Sequence, residues 1–429
     1  MTPAHTPLAA RPPSDDPAVV RRTQVLDLVR AVPAGVLLPI ETTVVLTIAI
    51  REFDAPGWAK GLIAASSGVG MLCAPAITAA VRRNGRSTMS AAGAVALIGA
   101  VGFVVSSSGP LALLVVGAII GIAAISAPIP LVTTMYERNF AAHDRGRRVG
   151  RGMSLRVAVS AVSGLAMGAL LTAVPAAWRF VMLGAAVAMT ALAWSFRHTP
   201  SEPLANSAGT TATAAAGGAT AAGGAVPAVL PHFHLLRHDQ RLRLTLTAWM
   251  FMGFGNLMLL PLRVEFLASP DYGIDADPTT ITLLTVAIPS LVRLSCLPAF
   301  GRLFDRMSFF SARIMVNLFF ALYIAAFFSG STMAGLVIGA IVLGVASAGG
   351  DLMWTLWVTK FAPPGQVADY MGLHTFFTGA RAVVAPLLAF YVVGRMELAA
   401  VAWMAAGLIM VASLLLVPQA RLEHRRAVR

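Results

Sequence analysis

Ionisable side chains interrupt stretches that are otherwise apolar: Arg30, Glu41, Arg156, Arg263, Glu265, Arg293, Asp351, His374 and Arg381. A charge at the middle of a bilayer costs about 2.5–3.5 kcal/mol on insertion scales, so such residues face a cavity or a partner. Two kinds of chemistry follow. Arginine's planar fork suits carboxylate or phosphate groups. A carboxyl group can load and release a proton when its surroundings change, because desolvation raises its pKa and a nearby arginine lowers it. Glu41 is the first candidate for that proton-carrying role, and Asp351 the second.

Helical spacing groups these residues into polar stripes. Arg30 and Glu41 lie eleven residues apart, three helical turns, and are expected on one face. Arg156, Ser160 and Ser163 recur at i, i+4 and i+7, and Asn256 and Arg263 share another face. Tyr370, His374, Thr378 and Arg381 form the longest stripe. Lining one central, water-accessible cavity is the simplest reading. Each residue also has a structural alternative. Arg30 and Arg156 lie near enough to a surface to snorkel, and Arg263 with Glu265 reads equally as a rim pair. Glu41, Arg293 and Arg381 read also as members of a permanent ion pair, and His374 as a packing residue. Trp249, Phe254, Trp354, Trp357 and Phe376 read as packing or belt aromatics.

The elements that position them are membrane spans. The chain has 429 residues, 57% hydrophobic and only 12% charged, far fewer charges than the ~25% usual in soluble domains. Twelve stretches approach the ~20 apolar residues a spanning helix needs, at about 27–50, 58–81, 88–108, 111–135, 150–172, 177–196, 244–268, 279–301, 310–329, 333–357, 370–393 and 398–418. The expected fold is an all-α integral membrane protein of two pseudo-symmetric six-helix bundles. The reading places a disordered N-terminus at 1–24, bundles at 25–196 and 244–418, a linker at 197–243 and a basic tail at 419–429. The first 24 residues lack an apolar core, so no cleavable signal is expected.

The net charge of +13 orients the protein and does not point to nucleic acid. Arg82, Arg83, Arg145, Arg147, Arg148 and Arg302 fall in loops on the side of the termini, whereas Asp54, Asp271, Asp275, Asp277 and Glu397 fall opposite. Basic loops stay inside, so both termini are expected in the cytoplasm, in a plasma or bacterial inner membrane. Asn206 to Ala228 is low-complexity Ala/Gly/Thr and reads as a flexible linker. Pro231 to Arg243 reads as a short surface helix. His232, His234 and His238 lack further ligands, so no metal is expected, and Cys73 and Cys296 read as packing residues.

The halves look like copies. Cys73-Ala74-Pro75-Ala76 recurs as Cys296-Leu297-Pro298-Ala299, Leu38-Pro39-Ile40-Glu41 as Leu260-Pro261-Leu262-Arg263, and Phe140-Ala141 as Phe361-Ala362, at nearly one offset. Parallel repeats about an axis normal to the membrane are a transporter architecture. Over nearly its whole length the sequence resembles the major facilitator superfamily. Its most specific motif is Gly301-Arg302-Leu303-Phe304-Asp305-Arg306, followed by Arg313, which is similar to the family's G-x-x-x-D-R loop. The equivalent loop, Arg82-Arg83-Asn84-Gly85-Arg86, has Arg82 where that motif has aspartate. The drug-antiporter signature G-P-x-x-G-G of span five is missing, and Gly164 and Gly168 do not replace it.

The resemblance implies alternating access around a midplane site, with spans three, six, nine and twelve as the outer scaffold. It implies that Gly301, Asp305 and Arg306 belong to gating, Asp305 contacting the other half near Arg145, Arg147 and Arg148. With no nucleotide-binding motif or nucleophile triad, the chain reads as a secondary transporter and not an enzyme. It is expected to act as a monomer without cofactors, drawing on protons, the family's commonest coupling ion. The expected substrate or proton pathway is Glu41, Arg156, Arg263, Arg293, Asp351, His374 and Arg381. Five arginines within the spans against three acids favour a small organic anion. A proton-driven exporter of lipophilic drug-like compounds, suggested by 19 methionines, is the alternative. A non-transporting receptor or scaffold is the reading from another class.

Overall fold

The computed structural model describes residues 16–204, 233, 235–330, 332–362 and 367–428. Apolar runs of bilayer length, bounded by caps and prolines, give twelve helices long enough to cross a membrane. In the first half these are α1 (Pro17–Phe53), α2 (Gly57–Arg83), α3 (Thr88–Ser106), α4 (Leu111–Asn139), α5 (Ala142–Ala173) and α6 (Trp178–His198). In the second they are α7 (Gln240–Ala268), α8 (Pro278–Leu303), α9 (Phe309–Phe328), α10 (Met333–Phe361), α11 (Val367–Val393) and α12 (Leu398–Val428). Twelve crossings put both termini on one side, here the terminal face.

Several starts are capped as the sequence directs, since a side-chain oxygen satisfies an orphan N–H. Asp16 accepts from Ala18 N at 2.8 Å, and Asp239 from Leu242 N at 3.0 Å. Two boundaries differ from expectation. Residues 17–24, read as part of a disordered tail, already belong to α1, and α12 continues through the basic tail to Val428. Both extensions are polar, so a hydropathy window cannot see them although the helix continues. Residues 1–15 and the low-complexity stretch lie outside the described residues. The expected surface helix reduces to Leu235–His238 among them.

Lipid replaces water around the bundle, so the outward faces are apolar. Ile98 and Val101 on α3, Phe180 and Val187 on α6, Leu318 and Leu322 on α9, and Trp403 and Leu414 on α12 are exposed. These four helices are the outer scaffold. Between spans, small residues let backbones approach closely. A Cβ on Gly68 of α2 would lie 2.7 Å from the backbone of Ala382 and Val383 on α11. Gly68→Leu is therefore expected to destabilise the protein by about 1–3 kcal/mol, read as a lower melting temperature in detergent. An unchanged melt would contradict this packing.

Two helices break register where they meet. α1 widens into a π turn at Ile40–Val44 immediately after Pro39, and α8 does so at Leu283–Ala287 just before Pro289. Proline removes an intrahelical donor and crowds the carbonyl four residues earlier, which for Pro289 is that of Thr285, inside the π turn of α8. Thr43 and Thr285, one from each turn, are hydrogen-bonded at 3.1 Å across the halves.

Candidate functional site

The halves touch along α2–α11, along α5–α8 and at the far ends of α1 and α7. On the face opposite the termini they are bolted together. Arg51 pairs with Asp275 at 2.5 Å and donates to Ala276 O at 2.6 Å. Lys60 of α2 pairs with Glu265 of α7, and Thr172 of α5 donates to Asp277 at 3.1 Å. Cross-half hydrogen bonds and ion pairs between described residues lie on that face or at Thr43–Thr285; towards the terminal face Cys73 is exposed, and a Cβ on Gly301 or Gly372 would meet no atom. The cleft between the halves therefore opens on the terminal face.

Asp277 is both latch and cap. Partial burial works against its charge, but hydrogen bonds from Thr280, Thr172 and the Thr279 backbone hold its carboxyl below the ordinary value of 3.8. A depressed pKa means that this stabilisation is complete at neutral pH and is lost as pH falls through the folded value, below about 3.8. Asp277→Ala is expected to cost about 0.5–2 kcal/mol at pH 7 and less once the carboxyl is protonated. Equal melting shifts at neutral and strongly acidic pH would contradict this.

Lys60 and Glu265 are more buried, at 15% and 6% side-chain exposure. The expected rim pair of Arg263 with Glu265 does not form, because α2 supplies the cation. Glu265→Gln strands Lys60 between the halves and is expected to shift the balance towards opening by on the order of 3 kcal/mol. A cysteine at Thr285, in a background lacking Cys73 and Cys296, should then label from the opposite face. Unchanged labelling would refute the latch.

Deep in the cleft, charged groups from four helices meet. Glu41 lies in the π turn of α1, partly accessible, with Ser67 and Arg156 as its polar neighbours. Arg156 of α5 feels Glu41, Arg30, Arg293 and Tyr136. Arg293 of α8 is ion-paired with Asp351 of α10, at 21% and 36% side-chain exposure, and Asp351 also feels Arg156. Glu41, Arg156, Arg293 and Asp351, read separately from sequence, form one cross-cleft cluster.

Sequence reading missed Asp27. It is 2% exposed and ion-paired with Arg30, while the Tyr136 hydroxyl donates to it at 2.6 Å. Its spacing of three residues from Arg30 was the available signal, obscured because the apolar span seemed to begin there. Arg30 is thus bound to Asp27 and Tyr136 and does not snorkel.

The remaining candidates lie inside the second half. Arg263 is 3% exposed, donates to Leu260 O at 3.2 Å and lies 6.0 Å from the Tyr323 ring centre. Arg381 is 6% exposed and donates to Trp249 O at 2.7 Å. His374 is 1% exposed. The long stripe on α11 is real, but its His374–Arg381 stretch turns towards Trp249 of α7. The positive surplus counted from sequence is therefore not in the cleft, where Arg30, Arg156 and Arg293 face Asp27, Glu41 and Asp351.

In the loop motif, Arg306 is exposed and Gly301 stands in open space. The Asp305 side chain lies outside the described residues, as do His232 and His234. Among the described residues Arg147 and Arg148 both pair with Asp144. No group of three or more potential metal ligands occurs among them.

A search of curated protein sequences finds no match. The family model of the Major Facilitator Superfamily matches residues 40–334. Among solved structures, the nucleoside transporter NupG superposes with a TM-score of 0.66 at 14% identity, covering 93% of this chain and 98% of that one. The xylose transporter XylE from E. coli, in an inward open conformation, gives 0.64 at 14% identity, covering 92% and 94%. The human organic anion transporter MFSD10 gives 0.59 at 17% identity, covering 94% and 100%. At these identities the likeness is one of fold. Two six-helix halves around a charged cleft and the family match agree: the chain belongs to the major facilitator superfamily of secondary transporters.

Proposed function

We propose that this protein is a proton-coupled transporter of a small organic anion, with Arg156 as the anion's ligand and Glu41 as the proton carrier. One observation carries the reading. Arg30 and Arg293 each hold a carboxylate in an ion pair, whereas no described carboxylate lies within ion-pair distance of Arg156. The residue is partly accessible and its buried Nε has no hydrogen-bond partner among the described residues, which supports a carboxylate or phosphate in its planar fork.

Coupling follows from competition for that fork. With the cleft empty, Arg156 stabilises the charged form of Glu41 from nearby. An arriving anion takes the guanidinium over and adds negative charge, and both effects favour protonation of Glu41. Anion and proton then travel as a neutral pair, which lowers the cost of closing the cleft around them. The latches Lys60–Glu265 and Arg51–Asp275 must break when the opposite face opens, so alternating access here exchanges them for closure at the terminal face. Arg293 and Asp351 line the same space as a second proton-sensitive pair, whereas Arg263, His374 and Arg381 belong to the second half's interior. The arginine-rich loops support a cytoplasmic terminal face, in a plasma or bacterial inner membrane. One chain encloses the cleft, which supports a monomer as the working unit.

The balanced charge of the cleft favours, as a second reading, a neutral hydroxyl-rich solute, and NupG and XylE carry solutes of that kind by their names. A thermal-shift panel on the purified protein separates the readings, because a ligand that binds only the folded state stabilises it by about 2.7 kcal/mol at 100 times its Kd. Stabilisation by small carboxylates or phosphate esters is expected. A response confined to sugars and nucleosides, or to lipophilic cations, would replace the anion reading with solute transport or drug export.

A further inference from the structure

Inside the second half, a group of cations is buried with no countercharge among the described residues. Arg313 of α9 is 2% exposed, Arg381 of α11 6% and His374 1%. The Arg313 guanidinium lies 3.9 Å from the Trp249 ring centre and donates to Met252 Sδ at 2.9 Å. Arg381 donates to Trp249 O at 2.7 Å and to Thr378 Oγ1 at 3.2 Å, filling the space beside Gly253. The His374 ring packs against Trp249, Trp354 and Trp357 at centroid distances of 4.8, 5.6 and 5.2 Å. The charges bearing on these residues are one another's: Arg381 and Arg313 act on His374, and Arg381 on Arg313. No carboxylate among the described residues reaches either guanidinium.

Burying one charge without a partner is strongly unfavourable, and burying two like charges together is worse. The unspent hydrogen-bonding atoms point the same way. Arg381 Nε, Trp249 Nε1 and both His374 nitrogens are buried with no hydrogen-bond partner among the described residues. The guanidinium and indole N–H groups can only donate, and one nitrogen of a neutral imidazole also donates. Three donors in a doubly positive, water-poor interior call for an anion. The rings packed at 4.8–5.6 Å around His374 limit any such anion to a small one, and the low exposure of the group favours a monovalent, weakly hydrated ion.

We propose that Arg313, Arg381, Trp249 and His374 form a structural site for a small monovalent inorganic anion of chloride size, between α7, α9 and α11. It is separate from the transport cleft and independent of the transported solute. Occupancy neutralises the interior of the second half and holds α9 and α11 against α7.

The test is thermal stability of the full-length protein in potassium chloride, bromide, nitrate, gluconate or sulfate at fixed ionic strength. A saturable rise of several degrees with chloride, bromide and nitrate over gluconate and sulfate is expected, retained in Arg156→Gln. The double variant Arg313→Met/Arg381→Met removes both charges at similar volume. It should be at least as stable in gluconate as the parent and insensitive to halide. Should that variant fail to fold, bromide NMR line width on the wild-type protein, with chloride as competitor, gives the same answer. Competable line broadening with the wild type supports the site. No saturable halide effect overturns it, as does a halide effect that survives the double substitution or vanishes in Arg156→Gln.

Discussion

Arg156→Gln is expected to abolish anion-dependent stabilisation and leave the empty protein close to its parental melting temperature. The side chain forms no ion pair with a described residue, so its removal strands none of their carboxylates in direct contact. Under the proposed function it would supply the charged hydrogen bonds to the bound anion. Such bonds contribute about 1.5–3 kcal/mol, which predicts roughly a 10- to 150-fold loss of affinity. Arg156→Lys keeps the charge without the bidentate fork and should fall between. Titrating the stabilising anion against all three proteins in the thermal-shift assay checks the order. Equal affinities would remove Arg156 from the site.

Glu41→Gln should have the larger effect on transport. Glutamine preserves the shape and hydrogen-bonding reach of glutamate in the π turn but cannot take up a proton. In proteoliposomes with an imposed pH gradient, accumulation above equilibrium should be lost entirely. Exchange of labelled for unlabelled anion should persist, because it needs reorientation of the loaded cleft but no net proton movement. Loss of exchange as well would make Glu41 a binding residue, and retained accumulation would move the proton to another group. Asp351→Asn is the informative comparison. It leaves Arg293 without its carboxylate, so it should lower stability as well as transport.

The helices were legible because lipid imposes one simple demand, a run of apolar residues long enough to cross it. Ends were less so: α1 from Pro17, α5 from Ala142 and α12 to Val428 extend as polar helix where hydropathy carries no signal. Within the site, composition placed charges in spans but not opposite their partners. Arg293 and Asp351 lie on different helices, and nothing in either one's local spacing shows that they meet. The shared face inferred for Arg30 and Glu41 was projected across Pro39 and into the π turn at Ile40, where the register shifts, yet Arg156 of α5 feels both residues. In the structure Arg30 serves Asp27 and Tyr136, while Glu41 neighbours Arg156. On α11 periodicity correctly joined His374, Thr378 and Arg381, but not the direction they face. That direction depends on Gly253 leaving room for the Arg381 guanidinium beside α7.

The central claim is that anion and proton bind together, and proton uptake on binding tests it most directly. Purified protein in weakly buffered detergent solution, with a pH indicator, is mixed with a saturating amount of the stabilising anion. Uptake of about one proton per protein is predicted at a pH where Glu41 is otherwise ionised, and none with Glu41→Gln. Anion binding without proton uptake in the wild-type protein would contradict the coupling.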